Sequence, residues 1–213
     1  TVISAVDRRS MDRAVELGRR GWGRVQPNPM VGCVLVRQGE VVGEGWHGEF
    51  GGPHAEIVAL SEAGAEAKGA TAYISLEPCH HEGKTPPCSV ALRGAGVSRM
   101  VFGAPDPGRE SAGGAAALRA GGVDVVGPVL TEREFRRENP AFFQTTLERP
   151  WVALKFAVSL DGKISSKAGV RTGISGTEAN DRVQWLRAGF DAILIGTNTA
   201  LVDDPLLTVR GKL

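Results

Sequence analysis

Apolar positions recur at helical spacing over residues 4–20, with Met11, Ala14, Val15 and Gly18 on one side. A loop of turn formers follows, Val25-Gln26-Pro27-Asn28-Pro29. The unbroken apolar run 31–36 reads as a buried strand, 38–40 as a turn, and 41–46 as the strand that completes a hairpin. A second helix is predicted over 54–65, with Ile57, Leu60 and Ser61 on one stripe, and a strand over 71–76. Residues 77–87 carry no regular period, and a short helix is predicted from Cys88 to about Gly94. A strand at 100–102, a helix at 111–120 and a strand at 123–126 continue the alternation. Strands alternating with helices predict an α/β layered sheet covered by helices on both faces.

The pattern changes after residue 131. Residues 131–147 form a charged helical stretch that Pro140 should kink or split in two. Arg149-Pro150 then resets the chain, which sets a domain boundary between 1–148 and 149–213. In the second part a strand is predicted at 151–158, followed by a turn at Asp161-Gly162. Ser175 with Glu178 forms the pattern of a capping box opening a helix to about Ala188. A buried strand is expected at 192–195, and 206–210 reads as the opening of another. Both ends look cut: the chain starts at Thr1 and stops at Leu213, just after that last strand begins.

Composition narrows the class. Hydrophobic content of 42% with 23% charged residues belongs to an ordered globular chain, and a net charge of +1 argues against general affinity for nucleic acid or anionic membrane. No apolar run approaches the roughly 18 residues of a membrane span, and the first residues lack the features of a signal peptide. Three cysteines suit cytoplasmic thiols or metal ligands better than a disulfide framework.

Chemistry concentrates in two short segments. His54-Ala55-Glu56 opens a helix after Gly51-Gly52-Pro53, Pro78-Cys79 follows a strand, and Cys88 follows Pro86-Pro87 at another helix start. A His-x-Glu followed by Pro-Cys and a second cysteine is the signature of zinc deaminases, although here eight residues separate the cysteines instead of two. Catalytic zinc takes three protein ligands and leaves the fourth position to water, which matches His54, Cys79 and Cys88. Glu56 then serves as the acid/base. Residues i and i+2 diverge by about 200° on a regular helix, so His54 and Glu56 can meet only in the first turn. A structural zinc with His80 or His81 as fourth ligand is the alternative, and so is a zinc-stabilised scaffold without catalysis. A carboxylate beside an open metal position weighs against both. Cys33 lies within an apolar run and reads as core.

Asn28-Pro29-Met30-Val31-Gly32, His54-Ala55-Glu56 and the stretch from Glu77-Pro78-Cys79 to Gly83-Lys84-Thr85-Pro86-Pro87-Cys88 strongly resemble the bifunctional riboflavin-biosynthesis deaminase/reductase family. Ser159-Leu160-Asp161-Gly162-Lys163, Asp191-Ala192-Ile193-Leu194-Ile195-Gly196 and Asp203-Asp204-Pro205 extend the resemblance to the reductase part. It implies a cytidine-deaminase-like three-layer α/β/α sandwich followed by a partial dihydrofolate-reductase-like α/β domain. It also implies two consecutive reactions. The first is hydrolytic deamination of 2,5-diamino-6-(5-phosphoribosylamino)pyrimidin-4(3H)-one. The second is NADPH-dependent reduction of the product's ribosyl group.

By the same resemblance, His54, Cys79 and Cys88 hold Zn2+ and Glu56 is catalytic. Asn28 lies near the pyrimidine, His47, His81 and Lys84 near the phosphoribosyl part, and Asp106 in a further substrate loop. Ala157, Gly173, Thr199 and Asp203 match NADP(H)-contacting positions, and Arg171, Arg187, Leu207 and Arg210 match substrate positions of the reductase. Two positions depart from the family. Gly108-Arg109 replaces the common Asn-Pro, and Gly173 stands where a Trp is common. The family's later Gly-rich cofactor loop is not reached by residue 213, so the reductase part is expected to lack half its sheet and to expose apolar surface. The expected partner is a small phosphoribosyl pyrimidine, with no nucleic acid and no membrane, and a homo-oligomer is compatible with the sequence. The rival function is a zinc deaminase of another free nucleotide or base.

Overall fold

One mixed sheet organises the first part of the chain in the computed structural model, which describes residues 3–81, 86–108, 110–146 and 148–210. Its strands are β1 (Gly32–Arg37), β2 (Glu40–Trp46), β3 (Thr71–Leu76), β4 (Arg99–Ala104) and β5 (Asp124–Val126), in the order β2-β1-β3-β4-β5. The β1–β2 hairpin and the β1–β3 pair are antiparallel, whereas β3, β4 and β5 run parallel. The parallel steps need crossover helices, supplied by α3 (Cys88–Gly94) and α4 (Gly114–Ala120).

Side chains alternate across each central strand, so a continuous apolar run serves two cores. Cys33, Leu35, Ile74, Met100 and Phe102 face one layer with α2 (Ala55–Ala63), α3 and α4. Val34, Tyr73 and Val101 face the other with Met11, Ala14 and Leu17 of α1 (Ala5–Gly18) and Phe135 of α5 (Glu132–Glu138). This is the expected three-layer sandwich. Pro140 acts as expected too: α5 ends before it and α6 (Pro140–Thr146) begins on it.

Small residues fix where α2 sits. A Cβ at Gly45 would overlap the Ala55 carbonyl oxygen, and one at Gly43 would overlap that of Ala59. The helix therefore lies backbone against strand, which sets the position of its first turn. On the opposite face, Asp7 closes a capping box with Ser4 and accepts hydrogen bonds from Tyr73 Oη (2.9 Å) and Arg99 Nη1 (2.7 Å). The Arg99 guanidinium foremost holds the Asp7 carboxyl well below its ordinary range.

The chain divides into two compact units, Thr1–Trp151 and Val152–Leu213. The second contains α7 (Thr177–Ala188) and α8 (Thr197–Asp203), the latter not expected from sequence. The strands expected at 151–158, 192–195 and 206–210 are not formed: these segments have no ladder partner among the described residues. A strand is stable only when a neighbour takes its N–H and C=O groups, and apolar sequence alone does not supply one. Leu154 and Leu194 accordingly lie 80% and 98% exposed. The capping box at Ser175 and Glu178 is also corrected. Gly176 is the N-cap of α7, and no side chain caps it. Among the described residues no helix is long and apolar enough to cross a membrane.

Candidate metal centre

Four chain segments converge at one end of the sheet. Cys33 pairs with Ile74, and Gly32 with Trp46, so the start of β1, the end of β2 and the end of β3 share an edge. Ligands of α/β folds collect at the carboxyl ends of the parallel strands. There β3 leads into Glu77-Pro78-Cys79, and β2 leads into His47 and on to His54.

His54 is the N-cap of α2 and Glu56 sits one residue inside its first turn, which meets the geometric constraint set by an i, i+2 pair. Cys88 is the first residue of α3, after the N-cap Pro87. His54 Nδ1 lies 3.2 Å from Cys88 Sγ and 3.7 Å from Cys79 Sγ, and all three donor atoms fall within 4.8 Å of one another. Around tetrahedral zinc, with Zn–N about 2.0 Å and Zn–S about 2.3 Å, N···S separations are about 3.5 Å. The donor set therefore fits zinc in both spacing and softness. Electrostatics agree. Hydrogen bonding from Cys88, then from His54, holds the Cys79 thiol far below its ordinary value, and bonding to Cys79 raises His54. Zinc binds the deprotonated thiolate and the neutral imidazole, so loading this set releases protons.

Glu56 is buried beside this cluster, with the Cys88 thiol within hydrogen-bonding reach, and burial lifts its carboxyl above the ordinary range. Cys33 is core as expected, and burial pushes its thiol well up. Neither proposed fourth ligand joins the cluster among the described residues. His80 Nδ1 pairs with Ser89 Oγ at 2.9 Å, and His81 is exposed.

Asn28 and His47 form the adjoining wall. His47 Nδ1 lies 3.0 Å from the Pro53 carbonyl, which can only accept, so Nδ1–H donates and Nε2 accepts from Asn28 Nδ2 at 3.2 Å. Burial first of all keeps His47 below its ordinary value, which favours the neutral ring. Its ring meets that of His54 edge-on at 5.6 Å. Lys84 lies outside the described residues. Asp106 sits on a loop tied to Glu77, whose carboxylate accepts the N–H groups of Asp106 (3.3 Å), Gly113 (3.2 Å) and Ala115 (3.0 Å). In sequence Glu77 stands out only as the first residue of the Glu77-Pro78-Cys79 motif. Its role as a clamp has no local sequence signal, because its partners lie 29–38 residues away.

The second unit gathers some of its expected residues and scatters others. Arg187 Nη1 donates to the carbonyls of Leu206 and Thr208, both at 3.3 Å, and the Arg210 N–H donates to Gln184 Oε1 at 2.9 Å. Arg187, Leu207 and Arg210 thus lie together. Ala157 is half-buried, Arg171, Gly173 and Thr199 are exposed, and Asp203 ends α8.

The sheet order, the His54-Cys79-Cys88 set and the buried Glu56 define a zinc-site deaminase domain of the cytidine-deaminase class. Residues 4–104 match the cytidine and deoxycytidylate deaminase zinc-binding region, and residues 150–212 match the RibD C-terminal domain. The chain is 47% identical over 203 residues to the riboflavin biosynthesis protein RibD of Escherichia coli, covering 94% of this chain and 55% of that protein. A solved structure of a diaminohydroxyphosphoribosylaminopyrimidine deaminase/5-amino-6-(5-phosphoribosylamino)uracil reductase from Thermotoga maritima superposes with a TM-score of 0.87. It is 41% identical, covering 96% of this chain and 59% of that one. Acinetobacter baumannii RibD gives a TM-score of 0.82 at 41% identity, with 97% and 58% covered. The chain belongs to the RibD family of riboflavin-biosynthesis proteins, and it spans a little over half the length of these relatives.

Proposed function

We propose that this chain carries out the hydrolytic deamination of 2,5-diamino-6-(5-phosphoribosylamino)pyrimidin-4(3H)-one in riboflavin biosynthesis. In this reading residues 1–148 are the deaminase domain, and residues 149–213 are the N-terminal part of an NADPH-dependent reductase domain. The observation that carries the reading is a buried, non-ligating carboxyl, Glu56, beside three soft donors spaced for zinc. When bound, zinc supplies the Lewis acidity that brings the pKa of water near neutrality. Glu56 takes a proton from the attacking water, passes it to a ring nitrogen, and then assists departure of the amino group as ammonia. Burial raises its affinity for protons, which suits a group that must accept a proton and later donate it. Asn28, held by His47, orients the pyrimidine, His47, His81 and Lys84 serve its phosphoribosyl part, and Asp106 adds a substrate contact from its own loop. A cation is what a phosphate requires, which is the chemical reason for Lys84.

In the reductase part, Ala157, Gly173, Thr199 and Asp203 belong to the NADP(H) side and Arg171, Arg187, Leu207 and Arg210 to the substrate side of a site completed in longer relatives. The deaminase test is ammonia release by the zinc-loaded chain from the phosphorylated diaminopyrimidine beside cytidine and deoxycytidylate. Release from the first alone is expected. Release only from a cytosine nucleotide would replace the substrate.

A further inference from the structure

Asn139 is one of the few buried polar side chains of the first unit, 4% exposed, at the break between α5 and α6. Its side chain makes two hydrogen bonds to one distant residue. The Met30 N–H donates to Asn139 Oδ1 at 2.7 Å, and Asn139 Nδ2 donates to the Met30 carbonyl at 3.3 Å, across 109 positions of sequence. Only a carboxamide offers donor and acceptor side by side as a peptide group does, so Asn139 acts as a one-residue strand beside Met30.

Met30 lies in the segment that carries Asn28. That segment is tied on its other side to His47: the His47 N–H donates to the Val31 carbonyl at 2.9 Å, and Asn28 Nδ2 meets His47 Nε2. Asn28, Met30 and Asn139 also line one groove, with Trp22 and Phe142. With Met30 released from Asn139, the segment would keep its ties to His47, to Val25 and to Ser75 beyond it but lose the one to the α5–α6 break, and Asn28 would be aimed less firmly. An error of an ångström in a positioning group costs up to two orders of magnitude in efficiency.

We propose that Asn139 is a positioning residue for the deaminase, acting through the Met30 backbone to aim Asn28 at the pyrimidine. This rests on the deaminase reading above. The experiment is steady-state kinetics with the phosphorylated diaminopyrimidine on the zinc-loaded chain and on Asn139→Leu, Asn139→Asp, Asn28→Ala and the Asn28→Ala/Asn139→Leu pair. Zinc content and circular dichroism are read on each. Asn139→Leu, which removes both hydrogen bonds, is expected to raise KM about tenfold with kcat within about threefold and zinc retained. Asn139→Asp, which keeps an acceptor for the Met30 N–H, is expected to fall between Asn139→Leu and the unaltered chain. In the Asn28→Ala background Asn139→Leu is expected to add less than about twofold, because both changes remove the same contact. Effects on KM that multiply independently would overturn the proposal. So would unchanged KM in Asn139→Leu, a fall confined to kcat, or loss of fold or zinc in both Asn139 variants. An unaltered chain that releases no ammonia from this substrate would overturn the deaminase reading, and this proposal with it.

Discussion

The side-chain nitrogen of Asn28 lies 3.2 Å from Nε2 of His47, joining the segment before β1 to the residue after β2. His47 is itself pinned through Nδ1 to the Pro53 carbonyl, one residue before His54. The chain thus aligns the wall of the site with its metal ligand. Replacing the ring by His47→Leu is expected to raise KM for the phosphorylated pyrimidine about tenfold while one zinc per chain is retained. Metal analysis beside steady-state kinetics checks this. Loss of zinc with unchanged KM in the remaining active fraction would assign His47 to the metal's support instead.

Purification without chelator is expected to yield one zinc per chain by elemental analysis, and Cys79→Ser to yield little. Zinc-binding energy is partly folding energy, so Cys79→Ser is also expected to melt more than about 5 °C below the unaltered chain. Equal melting temperatures with zinc lost would uncouple the metal from the fold.

The Asp7–Arg99 pair gives the sheet an acid-sensitive support. Asp7 binds its proton more weakly in the folded state than its ordinary value of 3.8, chiefly because of Arg99. A depressed carboxyl contributes stability that is fully present above the unfolded pKa and is lost as pH falls through the folded one. Asp7→Asn is therefore expected to cost about 1–3 kcal/mol at pH 7. The gap to the unaltered chain should narrow below about pH 4. Thermal melts from pH 7 to 2.5 check it, and a gap that does not change with pH would contradict the assignment.

The first unit was legible because several sequence signals agree there. Apolar runs, glycine turns and proline breaks place β1, β2, β3, α3 and the α5–α6 break close to where they occur. The His54, Cys79 and Cys88 set was legible because His-x-Glu, Pro-Cys and a second cysteine at a helix start form a known signature whose donor count matches a catalytic zinc. Glu77 and Asn139 were not, since each acts through backbone groups far away in sequence that leave no trace in residue type. The second unit misled for a different reason. The 151–158 and 192–195 segments have strand composition, yet a strand needs a neighbour, and composition does not say whether one is at hand.

Amide hydrogen exchange on this 213-residue chain separates the two units. Backbone N–H groups of β1 and β3 are paired on both sides and should exchange slowly, while those at 152–158 and 192–195 should exchange within the earliest time points. Protection of 152–158 comparable to that of β3 would show a ladder there.

Ammonia release by Glu56→Gln, measured when its zinc content matches that of the unaltered chain, decides whether Glu56 moves the protons of the reaction. Glu56 carries protons and lies outside the three-donor set, so removing its charge is expected to leave zinc in place. The deamination rate is expected to fall by at least about 10²- to 10⁴-fold, the range for a general acid–base. Near-normal ammonia release from Glu56→Gln with zinc bound would contradict it.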